Sequence, residues 1–288
     1  MAAKRASAHR WLPGIATAAL LAVAAASPAP AAAALHSPAI NAGHPPGYKI
    51  VHGGPFNAPP GTFDSGASVG CPAGTVVWGG GVVFHGASSS LNVNTSQPAG
   101  STGWEARVNN SGTTTVQFDV DAICANQPAG YKLVVRTVDN PPNTQSHATV
   151  TCPSPKVLLG GGTLSSADQV TAFLTSAWPL GPERFTGYMF NGTATDESFT
   201  VEGICGHKPV GYKIATNSVS LDAGFTLSDG IACPAGTSVL GGGTQDPDHD
   251  PVVQVAGSID EDTTVWNIAV NNLGQSAHQV NGYAICAA

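Results

Sequence analysis

The sequence predicts an all-β protein of three tandem, disulfide-closed, β-sandwich-like repeats of about 81 residues, with a single pseudo-threefold β-prism as the alternative arrangement. Three observations carry this. A Cys-Pro followed by three glycines recurs: Cys71-Pro72 with Gly79 to Gly81, Cys152-Pro153 with Gly160 to Gly162, and Cys233-Pro234 with Gly241 to Gly243. An Ile-Cys closes each unit, at Ile123-Cys124, Ile204-Cys205 and Ile285-Cys286, always 124 − 71 = 53 positions on, and the units step by 152 − 71 = 81. Between these marks apolar and polar residues alternate, which is the period of a strand with one buried face.

Each repeat opens on a strand led in by proline: Pro46 before Gly47-Tyr48-Lys49-Ile50, Pro128 before Gly130-Tyr131-Lys132-Leu133, Pro209 before Gly211-Tyr212-Lys213-Ile214. The triple glycine follows an apolar strand (Val76-Val77-Trp78, Val157-Leu158-Leu159, Val239-Leu240). Glycine weakens a strand, so three together mark a bulge, a bend or a close backbone approach. We expect a kink that lets an aromatic ring lie on bare backbone. The ring at hand is Trp104, Phe185 or Trp266, expected to be buried beside the disulfide of its own repeat. Around it Trp104, Ala106 and Val108 alternate with Glu105 and Arg107, and Asn110, Asn191 and Asn272 mark the following turn. In the last strand Val116, Phe118, Val120, Ala122 and Cys124 share one parity, which points the closing cysteine into the core. Each repeat has room for about six short strands. The expected units are repeat one over 45–125, repeat two over 126–207 and repeat three over 208–288, preceded by a linker over 35–44.

Residues 1–34 read as a secretory signal peptide: Lys4, Arg5 and Arg10, an apolar run from Ile15 to Ala26, then small residues. Without them the formal charge is 8 − 18 = −10. That excludes nucleic acid as a partner, and no membrane insertion is expected after signal cleavage. A secreted, extracellular protein with six cysteines predicts disulfides. The repeat symmetry leaves two patterns. The favoured one pairs Cys71–Cys124, Cys152–Cys205 and Cys233–Cys286; the other links neighbouring repeats through Cys124–Cys152 and Cys205–Cys233, with Cys71 to Cys286.

Signals for chemistry are sparse. Gly66-Ala67-Ser68-Val69-Gly70 has the form of a nucleophile elbow but lacks the strand-to-helix turn that the elbow needs. The glycine triplets lead into more strand, unlike a phosphate loop. His44, His52, His85, His147, His207, His249 and His278 show no metal-binding spacing, and disulfides would consume the cysteines. Asp246-Pro247-Asp248-His249-Asp250 sets three carboxylates over five residues. Asp246, Asp248 and Asp250 are a weak Ca²⁺ candidate; a solvated acidic loop is the favoured reading, and no metal or cofactor is expected. The segments Val82 to Gly103, Thr163 to Arg184 and Thr244 to Val265 vary almost completely at constant length. They read either as unconstrained surface loops or as three recognition surfaces on one scaffold. Trp178, with Phe173 nearby, is the candidate ligand contact; Gln97 and Ile259 hold its place in the other repeats, one arguing for a wet position and the other for a partly buried one.

The Cys-Pro-x-Gly…Gly-Gly-Gly…Ile-Cys pattern over about residues 45 to 288 resembles β-modules of secreted bacterial proteins of unknown function. Repeat two departs from it with Ser154-Pro155. The resemblance implies a β-rich extracellular module and brings no catalytic residues. The threefold repetition is similar to that of β-prism folds such as the vitelline membrane outer layer protein, whose repeats are shorter. The expected function is a non-enzymatic binding or surface module acting on carbohydrate or protein at a cell surface. A purely structural envelope component is the alternative, and a hydrolase with a site between repeats the second alternative.

Overall fold

The computed structural model describes residues 43–86 and 88–288, with backbone alone at Asp64. The signal peptide expected over 1–34, and nearly all of the linker, lie outside the described residues. Repeat one forms β1 (Lys49–Ala58), β2 (Thr62–Gly70), β3 (Thr75–Phe84), β4 (Leu91–Pro98), β5 (Gly103–Asn110) and β6 (Val116–Asn126). Repeat two forms β7 (Lys132–Asn140), β8 (Thr144–Thr151), β9 (Val157–Ser165), β10 (Ala172–Pro179), β11 (Arg184–Asn191) and β12 (Glu197–Gly206). Repeat three forms β13 (Lys213–Leu221), β14 (Thr226–Ala232), β15 (Ser238–Gln245), β16 (Val253–Asp260), β17 (Val265–Asn272) and β18 (His278–Ala287). The protein is all-β with six strands per repeat. The disulfides close within repeats, Cys71–Cys124, Cys152–Cys205 and Cys233–Cys286. Each loop of this length is worth about 4 kcal/mol in the chain-entropy account.

The sheets do not respect the repeat boundaries. Their strand orders are β1-β6-β3-β16-β17-β14, β2-β5-β4-β9-β12-β7 and β13-β18-β15-β10-β11-β8. Every repeat keeps its first, sixth and third strands in one sheet and lends its fourth, fifth and second to a sheet shared with the next repeat. Repeat three lends its strands to repeat one, so the exchange closes in a ring. The single pseudo-threefold alternative describes this topology; no repeat owns a complete pair of sheets. The segments expected as variable loops are accounted for here. Each contains the lent fourth strand, and β4, β10 and β16 are buried along almost their whole length.

The triple glycines explain how the ring closes. A register shift precedes the first glycine in each repeat, at Val77/Gly79, Ile204/Cys205 opposite Gly160/Leu158, and Val239/Gly241. The first glycines converge on the centre. A methyl group on Gly79 would sit 2.0 Å from the Leu240 carbonyl oxygen, and one on Gly160 2.2 Å from that of Trp78. The second glycines receive the aromatic rings, as expected: Trp104 lies on Gly80, Phe185 on Gly161, Trp266 on Gly242. All three rings are buried, and Trp266 shares its core cluster with Cys233 and Cys286. The third glycines admit the neighbour's lent strand, Gly81 against Ser258, Gly162 against Ser96, Gly243 against Ala177.

The opening Gly-Tyr also has a structural reason. Gly47, Gly130 and Gly211 hold φ near +70°, a backbone that glycine adopts without strain. The turn delivers each tyrosine to the preceding repeat in the ring. Tyr131 O–H donates to the Val77 carbonyl at 3.0 Å, Tyr212 to Leu158 at 2.7 Å and Tyr48 to Val239 at 2.7 Å. Asn110, Asn191 and Asn272 do more than mark a turn. Each is fully buried, and its side-chain amide donates to the end of its repeat's first strand, at Ala58, Asn140 or Leu221. Three disulfides fit an oxidising environment. Among the described residues no helix is long and apolar enough to cross a membrane.

Candidate functional site

The seam between repeats two and three gathers both features that the sequence singles out. Here β10 meets β15 through the pair Ala177↔Thr244. The acidic loop follows β15 directly, and its Asp246 N–H donates to Ser176 Oγ at 2.9 Å. Asp246 is buried and organises the loop: its two carboxylate oxygens accept the N–H groups of Asp248 at 3.2 Å and Asp250 at 2.8 Å. Burial raises its pKa above the usual carboxylate range, opposed by those two N–H donors. The loop is therefore a built structure.

His278, at the start of β18, is the residue that sequence spacing missed. It is 7% exposed, and neither ring nitrogen has a hydrogen-bond partner. Yet three carboxylates face it. Asp246 Oδ1 and Asp248 Oδ2 each lie 3.7 Å from Nδ1, and Asp250 Oδ2 lies 3.9 Å from Nε2. A hydrogen bond would bring these atoms to about 2.7–3.2 Å. Two ligands of a tetrahedral zinc, at bond lengths of about 2.1 Å, stand about 3.4 Å apart. The Nδ1 spacing thus suits donors sharing an ion. Asp246, Asp248 and His278 form such a set, with their ligand atoms within 4.8 Å of one another. Asp250 Oδ2 faces the other ring nitrogen at 3.9 Å, the side from which a carboxylate within hydrogen-bond distance would orient a metal-bound imidazole. The structure so divides the weak candidate Asp246, Asp248 and Asp250: two have carboxylate oxygens beside His278 Nδ1, and the third lies on the Nε2 side of the ring. The partner His278, 278 − 246 = 32 positions on, was invisible to local spacing because β16 and β17 intervene before β18 pairs with β15.

Trp178 is not an exposed loop aromatic. It lies in β10, 4% exposed, with its backbone against Gly243. Its indole stacks on Tyr188 and on His249 of the acidic loop, at 5.7 and 5.9 Å between centroids. The half-buried Tyr188 carries the contact outward: His249 lies parallel to it at 4.0 Å, and the exposed His147 stacks beside it at 5.0 Å. Of the two readings of its position, the partly buried one fits, because a lent strand replaces the loop. Phe173 is also buried and packs on Phe190. The surface aromatic edge at this seam is Tyr188 with His147 and His249.

The chain matches no family model and no curated protein. The functional reading therefore rests on this geometry.

Proposed function

We propose that the protein is an exported, non-enzymatic binding protein. It holds a divalent cation at Asp246, Asp248 and His278 and uses it to take a polyhydroxylated ligand of the glycan class. One observation carries this reading: a buried histidine whose Nδ1 stands at ligand spacing from two carboxylates, with neither ring nitrogen hydrogen-bonded. Three protein ligands leave coordination positions open for outside donors, such as sugar hydroxyls. Asp248 is largely exposed, so the open side faces solvent. The adjoining Tyr188 and His147 rings offer a flat apolar surface for a sugar ring. Export is supported by the amino-terminal sequence and by the three disulfides.

The test is equilibrium dialysis against Zn²⁺, Mn²⁺ and Ca²⁺, followed by a glycan array with and without a chelator. His278→Gln is expected to abolish binding of this ion. Asp250→Asn should weaken it by about 10–100-fold, as loss of an orienting carboxylate does. Glycan binding that persists in chelator, or in His278→Gln, overturns the reading.

A further inference from the structure

The ring has three seams, and the chain itself spans only two of them. Repeats one and two are joined by the turn from β6 to β7, and repeats two and three by the turn from β12 to β13. Repeat three meets repeat one through β16 and β3 with no covalent connection, by the pairs Gly257↔Val83 and Ser258↔Val82. At this seam the sequence breaks its own pattern. The register places Asp260 opposite Trp266, where the other repeats set Pro98 opposite Trp104 and Pro179 opposite Phe185. The third glycines pair with Asp121, Glu202 and Tyr283 in turn. Only the seam between repeats three and one therefore carries an aspartate at both places.

Those two carboxylates are buried, each 4% exposed. Both oxygens of Asp260 and Oδ1 of Asp121 have no hydrogen-bond partner. His52 Nδ1 stands 2.8 Å from Asp121 Oδ2, with its side chain 71% exposed on the outer side. The three residues offer ligand atoms within 4.8 Å of one another. Burying Asp260 with neither oxygen paired, beside an Asp121 that keeps only its bond to His52, is costly unless something compensates the charge. A proline fills the same position in the other two seams, so the fold itself does not require an acid there.

We propose that His52, Asp121 and Asp260 bind a divalent cation that staples repeat three to repeat one and closes the ring. One imidazole and two carboxylates suit a borderline ion such as Zn²⁺ or Mn²⁺ better than Ca²⁺, which takes six to eight oxygens. His52 Nδ1 and Asp121 Oδ2 share a hydrogen bond at 2.8 Å that the ion would replace, and the unpaired oxygens it would take are both of Asp260 and Oδ1 of Asp121. The role differs from that of the acidic loop. Here the carboxylates face inward across a seam, and the ion replaces the covalent link that the other seams have. Holding the two ends of a long chain together removes the entropy of their separation, which is why this seam gains most from a staple.

The experiment uses the His278→Gln background, so that the acidic-loop set is removed. Dialysis against Zn²⁺, followed by metal analysis, is expected to find one ion per chain and a raised thermal midpoint. Adding Asp260→Asn should abolish both. Adding His52→Ala, an exposed side chain whose loss spares the core, should weaken binding about tenfold or more. No ion in His278→Gln, or binding indifferent to both added changes, overturns the proposal. So does zinc that binds without raising the midpoint. In the unaltered protein two ions per chain are expected. If His278→Gln leaves the count unchanged, the acidic-loop reading fails and this one stands on its own variants.

Discussion

Trp104 and Trp266 each carry an indole N–H into the core, and each meets a serine. Trp104 Nε1 donates to Ser96 Oγ at 3.0 Å, and Trp266 Nε1 to Ser258 Oγ at 2.9 Å. Repeat two has Phe185 and Ala177 at these places, so ring and acceptor change together. Trp266→Ala should cost about 3–5 kcal/mol by chemical denaturation. Ser258→Ala alone should cost about 1–3 kcal/mol, because it orphans a buried N–H. The double change Trp266→Phe with Ser258→Ala, which copies repeat two, should come out less destabilising than the sum of its parts. Glu202 gives a prediction in pH. Burial, and next the charge of Glu105, raise its pKa above the ordinary 4.5. A raised carboxyl pKa means the folded state holds the proton more tightly. Its contribution is then fully present below about pH 4.5 and lost as pH rises through the folded value. Glu202→Gln should raise the thermal midpoint at about pH 8 and leave it nearly unchanged at about pH 4. An equal effect at both would show that burial does not act through the charge.

At the scale of elements, the glycine triplet is the part of the sequence whose purpose was most legible. Three glycines in a strand mark a bulge, a bend or a close approach, and the ring that fills the space stands at a fixed distance along the chain. The identity of the approaching backbone was hidden, because it belongs to another repeat. The three first glycines are not equivalent. A methyl group at Gly241 would find its nearest atom at 3.4 Å, whereas at Gly79 and Gly160 it would strike backbone oxygens. Gly79→Ala and Gly160→Ala should each cost about 3 kcal/mol, and Gly241→Ala less than about 1.5 kcal/mol. Equal losses at all three, measured by denaturant titration, would mean the centre is more symmetric than this. The lent strands were the least legible elements. β4, β10 and β16 share almost no sequence because each packs on a different neighbour, and variability with constant length reads as loop when only one repeat is considered.

The whole molecule is a ring of three repeats in which every sheet has two owners. Repeat two expressed alone, over 126–207, should stay without fixed tertiary structure even with Cys152–Cys205 formed. Its β10 and β9 would each lose a partner strand, and Tyr131 its acceptor on repeat one. Dispersed amide NMR resonances from that fragment would contradict this. By itself the sequence determined the all-β class, room for about six strands in each repeat, two possible disulfide patterns with the within-repeat one favoured, and the burial of the ring at Trp104, Phe185 and Trp266. Each of these is set by a local period or by a spacing repeated three times, and symmetry cuts the disulfide patterns to two, of which the structure has the within-repeat one. Only the tertiary structure decided who pairs with whom at the seams, and with it both candidate sites. His278 reaches the acidic loop, and Asp260 reaches Asp121, across strands that are distant in the chain or belong to different repeats. A cluster whose members come from three separate strands has no spacing to read. Its signal is the departure of one repeat from the other two, and that departure acquires meaning once the sheets show which side chains it brings together.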